Sequence, residues 1–159
     1  MPRFYFNDPA APAANASLTV GSVALIEVDG CLLLDQRRDT GTWGLIGGAI
    51  EPNETVEQTV RREVLEETGL TVIGVDFFGT FSDPSRLIEY ADGKIRRVIT
   101  FAYRASVGPA TALRISDESL QLAYVPLDEL AGIEIVATHR QIVEAYLAGR
   151  PRFLSPVLF

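Results

Sequence analysis

Three glutamates close together, Glu63, Glu66 and Glu67, follow an arginine in the run Arg62-Glu63-Val64-Leu65-Glu66-Glu67. On a helix, carboxylates three and four residues apart are neighbours and repel one another. Together they make an all-oxygen donor set, and hard oxygen donors select Mg²⁺ or Mn²⁺. An Mg²⁺ ion carried by one or two carboxylates completes its shell with water and substrate phosphates. The chemistry open to such a cluster is therefore phosphate chemistry. The competing reading is a Glu-rich helix whose acids lie on a solvated face, and the direction of the side chains separates the two.

The surrounding residues predict that direction. Thr55 with Gln58 three positions on makes a capping box, and Gly69-Leu70 suits a left-handed C-terminal cap. These signals bound a helix of about three and a half turns over Thr55 to Thr68. At about 100° per residue, Val56, Val60 and Val64 form the apolar stripe, and Glu63 and Glu67 fall within about 20° of Val56. Glu66 sits at the edge of that face. Glutamates are almost never buried without a partner, so three of them on a half-buried face call for a cation.

Gly48, Glu54, Arg62, Glu63, Val64, Glu66, Glu67, Gly69 and Leu70 fill every fixed position of the pattern G-x5-E-x7-R-E-U-x-E-E-x-G-U, with U aliphatic. A chance match of the invariant letters is on the order of one in 10⁸ per window at ordinary residue usage. On this motif the chain resembles the Nudix hydrolases, the MutT-like pyrophosphohydrolases of nucleoside diphosphates linked to a further group X. The resemblance implies an α/β (α+β) fold, an α/β/α sandwich with a central mixed β-sheet. It also implies that Glu63, Glu66 and Glu67 are divalent-metal ligands, joined by a backbone carbonyl near Gly47 and Gly48. Glu66 or Glu63 would orient or deprotonate the attacking water, Arg62 would aim the glutamates, and Glu54 would pair with Arg62. Gly47 and Gly69 would be structural. Many relatives have Pro before the Gly pair and Gly before the first motif Glu; here Ile46 and Asn53 stand there, a departure that bears on backbone shape and substrate preference, not on the chemistry.

The whole chain fits this picture. At 159 residues, 47% hydrophobic and 22% charged, it suits one globular domain with a sizeable core. A net charge of −7 opposes binding to a nucleic-acid polymer or an anionic membrane. A small anionic substrate is instead drawn in locally by a bound cation. The single cysteine, Cys31, excludes an internal disulfide and reads as a buried strand residue in a reducing compartment. The first residues lack the apolar core of a signal peptide, so the expected location is the cytoplasm.

In chain order, residues 1–17 read as an extended arm with prolines and alanines. Its Phe4-Tyr5-Phe6 cluster is expected to pack on the domain or on a second copy in a homodimer, with stacking on a base as the other role open to it. Residues 18–150 form the domain and 151–159 an apolar tail docked on it or on a partner. Leu18 to Val28 and Cys31 to Asp35 read as a hairpin about Asp29-Gly30. Arg37 and Arg38 end its second strand, where the family often places a phosphate-contacting arginine; otherwise they are solvated charges. Trp43 is expected in the core or a cleft wall. Strands are predicted over Leu70 to Phe81, interrupted at Gly74 and Gly79, and over Ile95 to Val107. The excursion from Asp83 to Lys94 reads as a surface specificity loop offering Arg86, Tyr90 and, just beyond it, Arg96. In the following loop, Glu118 is a candidate extra ligand or general base, by analogy with relatives. Leu120 to Pro126 reads as a strand, Leu127 to Leu130 as a helical turn and Val136 to Leu147 as an amphipathic helix carrying the lone His139, assigned to packing.

The expected function is Mg²⁺-dependent hydrolysis, with Mn²⁺ able to substitute, of the pyrophosphate linkage in a small nucleotide. A nucleoside triphosphate, a damaged one such as 8-oxo-dGTP, and an ADP-ribose-like compound all fit. A proline past the motif is associated with ADP-ribose cleavage in relatives, and Pro84 stands a couple of residues out of register with it. The alternative is a catalytically silent module of the same fold that binds a nucleotide metabolite.

Overall fold

The computed structural model describes residues 1–109 and 113–149. The tail assigned to residues 151–159 lies outside the described residues. In chain order the elements are β1 (Arg3–Tyr5), β2 (Thr19–Leu25), β3 (Glu27–Val28), β4 (Cys31–Arg37), β5 (Trp43–Gly44), β6 (Ile46–Ala49), α1 (Val56–Thr68), β7 (Val72–Phe81), β8 (Leu87–Glu89), β9 (Ile95–Val107), β10 (Ser119–Pro126), a 3₁₀ segment (Leu127–Gly132) and α2 (Ala137–Leu147).

The strands form two sheets. The larger is mixed and runs β1-β8-β9-β2-β6, with β7 also paired to β9; β2 and β9 are parallel and the other pairs antiparallel. The smaller is antiparallel, β10-β4-β3, with β5 also on β4. Alternation along the strands divides the core in two. Ala24, Ile26, Leu33, Ile46 and Tyr103 cluster with Val60 and Val64 of α1. Val23, Leu25, Leu32, Leu34, Leu45, Phe78 and Phe81 cluster with Ile142, Val143 and Ala145 of α2. The helices thus cover separate cores on either side of the sheets, an α/β/α sandwich.

Several expectations are revised by long-range pairing. Leu18 to Val28 breaks at Ile26: β2 joins the larger sheet, and only the two-residue β3 forms the hairpin with β4, across Asp29 (φ 51°) and Gly30 (φ 73°). Cys31, at the hairpin end, is half-exposed rather than buried. Gly74 and Gly79 do not end a strand; they mark register shifts in the continuous β7. Within the arm, Arg3–Tyr5 is a strand on β8, fixed by Tyr5 Oη donating to Glu89 Oε2 at 2.7 Å. The supposed surface excursion carries β8, which lies between β1 and β9. Among the described residues no helix is long and apolar enough to cross a membrane.

Candidate active site

Local signals place the glutamates. Thr55 Oγ1 accepts from Gln58 N–H at 3.1 Å while Gln58 Oε1 accepts from Thr55 N–H at 2.7 Å, closing the capping box. At the other end Gly69 (φ 76°) donates its N–H to Leu65 O at 2.9 Å. With these ends fixed and Val60 and Val64 fully buried, Glu63 and Glu67 turn toward β6 and are half-buried, whereas Glu66 is 59% exposed. The strand accepts this approach because it is glycine. A Cβ on Gly48 would lie 2.3 Å from Glu63 Oε1, and one on Gly47 (φ 152°) 2.1 Å from Ser22 O.

Arg62 organises the carboxylates. It grips Glu54 through two bonds, Nε to Oε2 at 3.0 Å and Nη2 to Oε1 at 2.7 Å. Its Nη1 reaches Glu63 Oε1 at 2.8 Å and Glu66 Oε2 at 3.2 Å, and Nη2 also reaches Ala49 O at 3.2 Å. The guanidinium and a backbone N–H hold Glu54 down to about 2. Burial pushes Glu63 up against the pull of Arg62. Glu67 is pushed up to about 8 by burial first and then by the charge of Glu63, with Asp35 and Glu118 adding to it; Gly47 N–H, donating to Oε2 at 3.2 Å, opposes this.

Glu63, Glu66 and Glu67 line one pocket of about 480 Å³ with Gly47–Ala49 and Ser116, Asp117 and Glu118. Glu118 therefore borders the same pocket as the motif glutamates. Arg38 is not among the residues that line this pocket. Its backbone N–H donates to Glu118 O at 2.8 Å, and its guanidinium donates to Asp117 O and Ser119 O, each at 2.9 Å. Arg38 clamps the loop that carries Glu118. Asp35, which did not stand out in the sequence because it ends an apolar Leu-Leu-Leu run, is buried with Oδ1 unpartnered among the described residues.

The donor set fits a divalent cation. Among the described residues no three His, Cys, Asp or Glu side chains form a ready-made chelate, and Arg62 lies among the carboxylates. Glu67 nevertheless holds a carboxylate whose charge is disfavoured by burial and by neighbouring acids, and a cation among hard oxygens is what reverses that balance. Gly48 borders the pocket; its carbonyl as a ligand stays an implication of the motif.

The strand Gly47–Ala49 also borders a second cleft, of about 380 Å³, lined among others by Phe4, Ser22, Arg37, Tyr90 and His139. Arg37 does face this cleft, but it is held by Asp39 (Nε to Oδ1 3.0 Å, Nη2 to Oδ2 2.7 Å) and lies 5.2 Å over the Phe4 ring. Tyr90 lines the cleft, as its candidacy requires. Arg86 does not: it is 0% exposed and its guanidinium donates to Val98 O, Thr138 O, Gln141 Oε1 and Thr100 Oγ1. Charge in a Ser-Arg turn suggested exposure, yet this arginine ties α2 to the sheet. Arg96 binds Ser17 at the arm.

Comparison with known proteins decides the family. A model of the NUDIX domain matches residues 17–146. The chain belongs to the Nudix hydrolase family. It acts, as these enzymes do, on phosphate anhydrides, and Nudix hydrolases generally use a divalent metal. A relative in Salmonella paratyphi B, the nucleoside triphosphatase NudI, is 36% identical over 126 residues, 74% of this chain and 89% of its own. The crystal structure of a MutT Nudix hydrolase from Burkholderia pseudomallei superimposes with a TM-score of 0.67 at 27% identity, covering 82% of this chain and 98% of that one. An ADP-ribose pyrophosphatase from Streptococcus suis reaches the same TM-score of 0.67 at 20% identity, over 86% and 98% of the two chains. That likeness shows the fold alone.

Proposed function

We propose that this Nudix hydrolase is an Mg²⁺-dependent pyrophosphohydrolase of nucleoside triphosphates, in which the carboxylate pocket receives the phosphates and the adjoining cleft the nucleoside. The observation that carries this reading is the convergence of Glu63, Glu66, Glu67 and Glu118 on one pocket that shares Gly47–Ala49 with a cleft of nucleoside size. The likeness to a nucleoside triphosphatase favours that substrate class over ADP-ribose.

Glu63, Glu66 and Glu67, with Glu118 beside them, are the groups that would hold the cation. When bound, the metal supplies charge neutralisation on the phosphates and acidifies a bound water. In the reaction, water oxygen forms a bond to phosphorus, the bridging P–O bond breaks, and its electron pair leaves with pyrophosphate or with the nucleoside monophosphate, according to which phosphorus is attacked. The proton of the water passes to a carboxylate, for which Glu66, Glu63 and Glu118 are the candidates. His139 is unsuited, since its Nδ1 already accepts from Leu45 N–H at 3.0 Å, and burial with the Arg86 and Arg37 charges holds it down to about 3. Arg62 fixes Glu63 and Glu66 with one guanidinium edge while Glu54 anchors the other, so the carboxylates keep their places as charge moves. The lone cysteine and the nucleotide substrate fit action in the cytoplasm. Incubation with a panel of nucleoside triphosphates and ADP-ribose, with Mg²⁺ or Mn²⁺ and with chelator, tests the proposal. Metal-dependent cleavage of triphosphates supports it; cleavage of ADP-ribose alone, or none with either metal, overturns it.

A further inference from the structure

The family match begins at residue 17, yet two residues before it, Pro2 and Phe4, form part of the cleft wall. Phe4 is held by register rather than by chance: β1 pairs with β8, Phe4 opposite Ile88, and Tyr5 bonds Glu89. The Arg37 guanidinium, fixed by Asp39, lies over the Phe4 ring. A planar aromatic made rigid in this way, with Tyr90 in the same cleft, is what base stacking requires.

Two polar groups of the cleft lack partners. Ser22, 1% exposed, has a hydroxyl with no hydrogen bond among the described residues. His139 is the more informative. Leu45 N–H donates to its Nδ1 at 3.0 Å, so in the neutral ring the proton sits on Nε2. No described residue bonds Nε2, and the ring lines the cleft. Gly44 permits the inward fit, since a Cβ there would lie 3.1 Å from Nδ1. The cleft is thereby given a fixed donor with no acceptor on the same group.

We propose that this cleft is the nucleobase chamber, with Phe4 of the N-terminal arm as stacking surface and His139 Nε2–H as donor to guanine O6 or to uracil or thymine O4, so that the triphosphates of these bases are preferred to those of adenine and cytosine, which carry an amino group at that position. This rests on the triphosphatase reading above. An adenine or cytosine amino group meets a donor with a donor and leaves both unpaired, the arrangement that discriminates most strongly.

The test compares kcat and KM for dGTP, dTTP, dATP and dCTP in wild-type protein and in Phe4→Ala, Phe4→Trp and His139→Gln, with a long-range ¹H–¹⁵N spectrum of the single histidine. Phe4→Ala is expected to raise KM for all four at least ~5-fold with kcat little changed, and Phe4→Trp to restore it. His139→Gln, whose amide offers donor or acceptor, is expected to cut the keto-to-amino preference at least ~10-fold. The spectrum should show the Nε2–H tautomer, shifting on addition of a non-hydrolysable dGTP analogue. Hydrolysis with KM and preference unchanged in both Phe4→Ala and His139→Gln, or an Nδ1–H tautomer, overturns the chamber and leaves the triphosphatase reading standing. Failure of wild-type protein to cleave any of the four overturns both.

Discussion

At the scale of single residues, the account turns on which carboxylates carry charge and who holds them. Glu67→Gln and Glu66→Gln are each expected to lower kcat by at least ~10² at saturating Mg²⁺, the low end of what acid–base and metal roles contribute; steady-state turnover in the folded variants checks this. Glu54 gives a different signature, because its partner is Arg62 rather than a cation. Its folded value, about 2, lies below the ordinary carboxylate range, so the unfolded chain takes up protons first as pH falls. The stability it contributes is complete above about pH 5 and is lost as pH falls through its folded value. Thermal unfolding followed from pH 6 to pH 2 should show a shallower acid loss in Glu54→Gln than in wild type; parallel curves would contradict the assignment. The arginines show where reading residues singly fails. Arg62 and Glu54 pair as the motif implies, but Arg37, Arg38 and Arg86 looked alike in sequence and differ completely in place: a stacked cleft wall, a loop clamp and a buried tie. Their partners lie far away in the chain, and nothing local announces them.

At the scale of elements, α1 was legible because its signals are local. The capping box, the valine stripe and Gly69 lie within fifteen or so residues, and each is met in the structure. β1 was not legible, since Arg3–Tyr5 becomes a strand only by meeting β8 some eighty residues on. The same holds for Ser22 and His139, which share one cleft only because β2, the β5–β6 stretch and α2 meet around it. The close packing of α1 on β6 yields an element-scale prediction. Gly48→Ala places a methyl against the Glu63 carboxylate, the mobile end of a side chain, so the fold should survive while the carboxylate is displaced. A shift of about 1 Å at a reacting centre costs on the order of 10² in rate. The expected result is a kcat loss of that order with an unfolding midpoint close to wild type. A variant with normal kcat would show that Glu63 has no fixed position to lose.

At the scale of the whole molecule, an acidic chain gathers Glu63, Glu66, Glu67, Asp117 and Glu118 around one pocket, and among the described residues Arg62 forms ion pairs with only Glu63 and Glu66 of them. A cation that binds the folded chain and not the unfolded one stabilises it by mass action, about 2.7 kcal/mol at one hundred times its dissociation constant. Mg²⁺ is therefore expected to raise the melting temperature of wild-type protein and to do so far less in a Glu63→Gln, Glu67→Gln double variant. The most direct measurement of the central claim is Mn²⁺ binding to the nucleotide-free protein, read from the enhancement of water-proton relaxation. The account predicts a saturable enhancement with wild-type protein, reversed by Mg²⁺ and lost in the double variant. Wild-type protein that leaves water relaxation at the value of free Mn²⁺ would contradict it.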